Sequence, residues 1–200
     1  MINILFGLAI AALSLTSCNN STGKSTEDNS AFENTVPAAV QTDTLKITAE
    51  APTQTTGSVK EIIAVYLQLK NAFTKDNTSV AAKAATTLQT AFANFNKTDL
   101  TAQQKKLFED VAADAGEHAE HIGANGGKIA HQREHFEMLS KDMADLIKNF
   151  GNGGQTLYKD FCPMANNGKG AIWLSEVKEI KNPYQGSKML TCGSVKETLK

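Results

Sequence analysis

The chain has 200 residues, a formal net charge of −1 and a sequence pI near 6.4. A chain of this size holds one or two small domains, and its balanced charge provides no large basic surface. Composition therefore argues against nucleic acid as a partner.

The N-terminus has the features of an export signal. Residues 4–15 are uncharged and almost wholly apolar, and Leu15-Thr16-Ser17-Cys18 follows. This segment suits the hydrophobic region of a signal peptide and is too short to span a bilayer of roughly 30 Å. Its end resembles a lipobox, in which the cysteine thiol receives a lipid. We therefore expect a lipoprotein signal peptide over residues 1–17 and lipidation, including palmitate, at Cys18. Met1-Ile2-Asn3 lacks Lys and Arg, which departs from the usual signal-peptide pattern. An ordinary cleaved secretory peptide is the alternative.

Residues 18–57 are rich in Ser, Thr, Asn, Gln, Ala and Pro and nearly lack aromatic residues. Such a composition buries too little apolar area to fold, and it predicts a flexible tether behind the lipidated cysteine. Asn19 stands where an aspartate marks inner-membrane retention in some bacteria, so the outer membrane is slightly favoured. We expect a lipid-anchored envelope protein whose domain, residues 58–200, faces the periplasm.

Four stretches of this domain have apolar residues at helical spacing. The first is expected to begin after Ser58, the second after Asp76-Asn77, and the third at Thr98 or Thr101. The fourth runs over about residues 128–150, and a glycine cluster follows each of the last two. On the second helix the predicted inward stripe is Val80, Ala84, Leu88, Ala91, Phe92 and Phe95.

Four amphipathic helices with short links favour an all-α fold, a four-helix up-and-down bundle. Residues 155–200 have little periodicity, several Gly and Pro, and the chain's one tryptophan, Trp173. We expect them to form a loop-rich C-terminal tail, with short strands or turns, that packs on the bundle. Trp173 is expected to anchor that packing.

All four histidines lie close together in the sequence. His118 and His121 lie near the end of the third helix, and His131 and His135 near the start of the fourth. Their i, i+3 and i, i+4 spacings place each pair on one side of its helix. Counted from the glycine turn, His121 and His131 should both stand roughly 6 to 9 Å from the hairpin tip. The pattern predicts a shared metal ion; for either pair alone, a solvated surface is the alternative.

The tail contributes sulfur. Cys162-Pro163-Met164 and Met189-Leu190-Thr191-Cys192 each bring a thiol and a thioether together. These soft donors favour Cu(I), and zinc is possible because cysteine and histidine also suit it. We expect the tail to pack over the histidines. Since Cys18 is assigned to lipid, a disulfide between the two remaining cysteines is the alternative.

Five short motifs in order resemble a known domain: HQREHF, FCPMA, GAIWLS, IKNPY and MLTCG, which begin at residues 131, 161, 170, 180 and 189. That domain has no assigned function. It is found in small exported lipoproteins and fused to the periplasmic adaptor (membrane-fusion) subunits of copper and silver efflux systems. The resemblance covers about residues 58–197 and implies a helical domain that handles copper or related ions. The metal ligands taken from it and from the spacing are His121, His131, His135, Cys162, Met164, Met189 and Cys192.

The sequence thus predicts a membrane-tethered periplasmic lipoprotein that binds a soft or borderline transition metal for storage, delivery or detoxification. Copper is favoured, as Cu(I), and zinc is the other candidate. Expected partners are the metal ion, the membrane through the lipid anchor, and a metal-efflux assembly. No Ser-His-Asp order, phosphate loop or catalytic carboxylate pair is evident, so no enzymatic activity is expected. The alternative is a non-enzymatic envelope adaptor with a structural Cys162–Cys192 disulfide.

Lipidation can be tested by replacing its acceptor. Cys18→Ala should abolish incorporation of labelled palmitate and move the protein from the detergent phase to the aqueous phase in a partition assay, because the thiol is the acylated group. Cys192→Ala is the matched control and should stay in the detergent phase. Labelled palmitate on the Cys18→Ala chain would contradict the assignment.

Overall fold

The computed structural model describes residues 58–200. The predicted signal peptide, Cys18 and the tether up to residue 57 lie outside the described residues. The helices are α1 (Val59–Thr74), α2 (Thr78–Ala93), α3 (Ala102–Ala124) and α4 (Ile129–Phe150). The strands are β1 (Leu157–Cys162), β2 (Ala171–Ser175) and β3 (Ser194–Leu199). Within this part of the chain, no helix is long and apolar enough to cross a membrane.

Three of the four helices, α1, α2 and α3, begin where the capping residues predict. The Ser58 side chain accepts from the Glu61 amide at 3.3 Å, and that of Asn77 accepts from the Val80 amide at 3.0 Å. Thr101, not Thr98, caps α3, because Gln104 three residues later completes a reciprocal capping box with it. These local hydrogen bonds satisfy amides that have no partner inside the helix.

The four helices pack in chain order, α1 on α2, α2 on α3 and α3 on α4, which confirms the predicted four-helix arrangement. Phe136 of α4 lies at the core, with its ring centroid 5.5 Å from that of Tyr66 and 5.0 Å from that of Phe73. One stripe residue was predicted wrongly. Val80 is 47% exposed, whereas Ala81 and Ala85 are fully buried. The buried stripe of α2 consists largely of small alanines, which allow close helix packing.

The tail is more ordered than the sequence suggested. Its three strands form an antiparallel sheet in the order β2-β1-β3. An all-α class therefore does not describe residues 157–199, and the fold is a helical bundle with an added sheet. The strands are short, and β2 is mostly buried, so it lacks the alternation that would have identified it. Trp173 on β2 is fully buried, as expected of a packing anchor.

One arginine joins the tail to the bundle. Arg133 of α4 donates from Nε to the Pro183 carbonyl at 2.7 Å, and from Nη2 to the Phe73 carbonyl at 3.0 Å and to Asp76 Oδ1 at 2.6 Å. The Ser187 amide donates to the other Asp76 oxygen at 3.0 Å. Hydrogen bonds from Ser187, together with those and the charge of Arg133, lower the pKa of Asp76 to about 2. The α1–α2 turn, α4 and the tail are thereby held at one point.

Charged groups are buried between α1 and the sheet. Lys70 is fully buried, and its Nζ lies 2.8 Å from a carboxylate oxygen of Glu176. Asp160 on β1 is also fully buried, and neither of its oxygens has a hydrogen-bond partner within the described residues. Burial raises the pKa of this carboxyl to about 7, although the charge of Lys70 acts in the opposite direction. Near neutral pH the domain therefore holds a carboxyl group that resists ionisation.

Replacing Asp160 with Asn should stabilise the domain at about pH 8.5 and change little at about pH 4. Below its ordinary pKa of 3.8 the carboxyl is neutral in both states. As the pH rises, the unfolded chain ionises first, and the wild type loses stability until the folded pKa of about 7 is passed. Urea unfolding should give a difference of up to about 4 kcal/mol at the higher pH, the linkage value of a pKa raised from 3.8 to about 7. An equal difference at both pH values would contradict the buried-carboxyl interpretation.

Candidate metal centre

The turn between α3 and α4 brings the four imidazoles into one cluster. His118 Nδ1 lies 3.3 Å from His135 Nδ1. The rings of His121 and His135 are parallel, with centroids 4.2 Å apart, and those of His131 and His135 are 4.7 Å apart. The predicted meeting of the two histidine pairs across the hairpin is thus present in the fold.

Three of these residues could ligate one ion. His121, His131 and His135 each offer a ring nitrogen, and the three nitrogens lie within 4.8 Å of one another. Nitrogens that bind one ion at about 2.1 Å lie at most about 4.2 Å apart, so small ring rotations suffice. His121 is exposed and the other two are half-buried, which leaves room for those rotations and a path for an ion.

A buried glutamine fixes the register of the two helices at this point. Gln132 is fully buried, and its Nε2 donates to the carbonyls of Ile122 at 2.9 Å and Thr78 at 3.2 Å. Ile122 follows His121 and Gln132 follows His131 in the chain. The hydrogen bond between them therefore sets which imidazoles face each other, and it ties α2 to the same place.

Two carboxylates lie beside the ring nitrogens. Glu134 Oε2 is 3.4 Å from His131 Nδ1, and Asp142 Oδ2 is 3.8 Å from His118 Nε2. Such partners can orient a ligand imidazole. Burial, followed by the charge of Asp114, raises the pKa of Asp142 to about 6. Sequence reasoning missed Asp142, although it lies seven residues after His135 and therefore on the same face of α4.

The cluster favours neutral imidazole. Burial is the main cause that lowers the pKa of both His118 and His135. For His135, the neighbouring His121, His131 and His118 lower it further. Since an ordinary histidine already titrates near 6.5, these two are mostly neutral at pH 7 and keep a lone pair for a metal ion.

The cysteines meet each other but do not join the histidines. Cys162 Sγ and Cys192 Sγ are 3.1 Å apart, and among residues 58–200 neither belongs to the three-imidazole group. The reason lies in α4. Arg133, which binds the tail, projects about 160 to 200° around the helix from His131 and His135. The Arg133 contact with the tail thus lies on the other side of α4 from His131 and His135, and the packing of the tail over the histidines stays a prediction.

The predicted thioether ligands lie on the surface. Met164 is 53% exposed and Met189 is 37% exposed. Met164 lines an open cleft of about 490 Å³, together with Glu134 and Met138 of α4. Met138 follows His135 by three residues, so this cleft adjoins the histidine face.

The proton affinities provide a test of the cluster. His121→Ala should raise the pKa of His135 in an NMR titration, because one of the neighbouring imidazoles that lower this pKa is removed. Burial still acts, so the pKa should stay below that of a free histidine. Glu109→Gln, twelve residues before His121 on α3, is the control and should leave His135 unchanged. A lower or unaltered His135 pKa in the His121→Ala chain would count against the cluster.

Comparison with known proteins adds one family. A family model described as "Protein of unknown function (DUF3347)" matches residues 62–155. No curated protein and no solved structure matches the chain. The matched range includes all four histidines and excludes Cys162 and Cys192. A domain of this family of unknown function is therefore detected over the helical part of the chain, residues 62–155.

Proposed function

We propose that this domain binds a transition-metal ion through His121, His131 and His135 and holds it for storage, delivery or detoxification, without enzymatic activity. The observation that carries the proposal is the three ring nitrogens within 4.8 Å of one another. Imidazole is a common ligand of copper and zinc. The partial exposure of the three imidazoles suits an ion that must enter and leave the site.

The charge around the cluster supports a cationic ligand. Both helices carry acidic residues along the segment that holds the imidazoles: Asp114, Glu117, Glu120, Glu134, Asp142 and Asp145. Fewer basic residues lie in the same segment: Lys128, Lys141, which is paired with Glu137, and Arg133, which is paired with Asp76. A surface of this sign raises the local concentration of metal cations.

Copper is the favoured ion. For a given set of nitrogen ligands, Cu(II) binds more tightly than Zn(II) in the general order of divalent metals. A three-imidazole site also suits zinc when water fills the fourth position, so zinc is the second candidate. The geometry agrees with either ion, and relative affinity decides between them.

The proposed setting is the cell envelope. The signal peptide and Cys18 predict a lipid anchor, with the outer membrane slightly favoured and the domain in the periplasm. A tether of about forty residues could reach roughly 100 Å when extended, which is far enough to meet a metal-efflux assembly in the same membrane system. The membrane, through the lipid, and such an assembly are the proposed partners.

A second candidate is an envelope adaptor whose tail is closed by a Cys162–Cys192 disulfide. The specific observation in its favour is the 3.1 Å separation of the two sulfurs. The sulfur–sulfur bond of a disulfide is about 2.05 Å long, so a movement of about 1 Å by the sulfurs would allow the bond. In that case the imidazoles would be solvated surface, and the domain would act by binding a protein.

Metal titration of the full chain, with Cys18→Ser to prevent lipidation, separates the two candidates. Wild-type histidines should bind one equivalent of Cu(II), and of Zn(II) more weakly. His131→Ala and His135→Ala should each lose more than about 100-fold in affinity, and Glu134→Gln about tenfold, because it removes an outer partner. Calorimetry gives both the affinity and the number of ions bound.

The control is Gln103→Ala, an exposed residue near the start of α3, far along the helix from the imidazoles. It should bind both ions as the parent chain does. Binding that survives the loss of His121, His131 and His135 together would assign the ion elsewhere. The absence of any binding to the parent chain would leave the adaptor candidate.

A further inference from the structure

The two cysteines outside the lipid site come from separate parts of the tail. Cys162 ends β1 and is fully buried, whereas Cys192 precedes β3 and is half-buried. Their sulfurs are nevertheless 3.1 Å apart across 30 positions of sequence. One thiol is therefore held inside the tail while its partner is accessible from outside.

The backbone around Cys192 is built to hold its thiol in that place. Asn182 is fully buried. Its side-chain Nδ2 donates to the Cys192 carbonyl at 2.6 Å, and its backbone N–H donates to the Leu190 carbonyl at 2.7 Å. Gly193 has φ +139, and a Cβ there would approach the Phe161 carbonyl to 2.9 Å. The close approach of Gly193 to β1 requires glycine and places the Cys192 backbone beside the strand that ends in Cys162.

The number of donors at this place is small. Among the described residues, no cysteine belongs to a group of three or more histidine, cysteine or acidic ligands. Zinc in structural sites takes four protein ligands, and so two thiols do not suit it. Thiolates are soft donors that select Cu(I), an ion that accepts two ligands.

We infer that Cys162 and Cys192 form a second metal site, a two-thiolate site for Cu(I), separate from the imidazole site. It rests on the proposed function only in that copper is the ion handled. Each thiol loses its proton to solvent and forms one sulfur–copper bond, and copper keeps its oxidation state. At about 2.3 Å per bond the sulfurs would lie up to about 4.6 Å apart, which requires the accessible Cys192 turn to move outward.

Such a domain sorts copper by oxidation state. The imidazoles take the divalent ion on one side of α4, and the thiols take the monovalent ion in the tail. Oxidation of the thiols to a disulfide removes both sulfur ligands, so the second site operates only while the pair is reduced.

The test is anaerobic competition for Cu(I) against the chromophoric chelator bicinchoninate, on the full chain with Cys18→Ser. This chain should withdraw one tightly held equivalent of Cu(I) through its two thiols. Cys192→Ser should lower that affinity by more than about 100-fold, beyond the effect of losing an outer partner. Cys192 is chosen because it is not fully buried, and circular dichroism checks that the variant folds.

Met138→Leu is the matched control for the loss of a sulfur, since it removes a thioether on α4 that is not among the predicted ligands. It should bind Cu(I) as the parent chain does. The chain that lacks His121, His131 and His135 should lose Cu(II) and keep Cu(I), so failure of the imidazole site and failure of the thiol site give different results.

Two outcomes would overturn the inference. In one, Cys192→Ser binds Cu(I) as tightly as its parent. In the other, mass measurement finds the two cysteines bridged as purified, and the chain reduced under argon still leaves all Cu(I) with the chelator. Neither outcome affects Cu(II) binding by the histidines.

Discussion

The register between α3 and α4 is the constraint on which the histidine cluster depends. Gln132, the residue after His131, is fully buried and donates to the carbonyl of Ile122, the residue after His121. A slip of one residue along either helix would break this bond and rotate an imidazole by about 100° away from its partners. Because the bond is inaccessible to water, its loss would leave buried polar groups without partners. The core therefore determines the geometry of a surface site.

The two sides of α4 carry different chemistry. His131 and His135 face α3, while Arg133 between them extends to Asp76 and the Pro183 carbonyl. The helix thus anchors the sheet on one side and presents nitrogen donors on the other. Under the proposed function, nitrogen and sulfur donors would serve different ions without competing for one position, which a single mixed site could not do.

Much of the bundle could be predicted because its signals are local. Caps such as Thr101 and the glycine turn after α3 act within a few residues, and they determined both the helices and the meeting of His121 with His131. The course of the tail could not be predicted in the same way. It depends on Arg133 and Asp76, which are 57 residues apart in the chain. The sheet was underestimated for a related reason, since its pairing joins strands that show little alternation on their own.

The central claim is that imidazoles from the α3–α4 hairpin bind the ion that this domain holds. X-ray absorption on the full chain loaded with one equivalent of Cu(II) or Zn(II) tests it directly. The account predicts about three nitrogen ligands near 2.0 to 2.1 Å with the outer scattering of imidazole rings, and no sulfur near 2.3 Å. A sulfur shell on the first equivalent, or a spectrum without imidazole scattering, would contradict it.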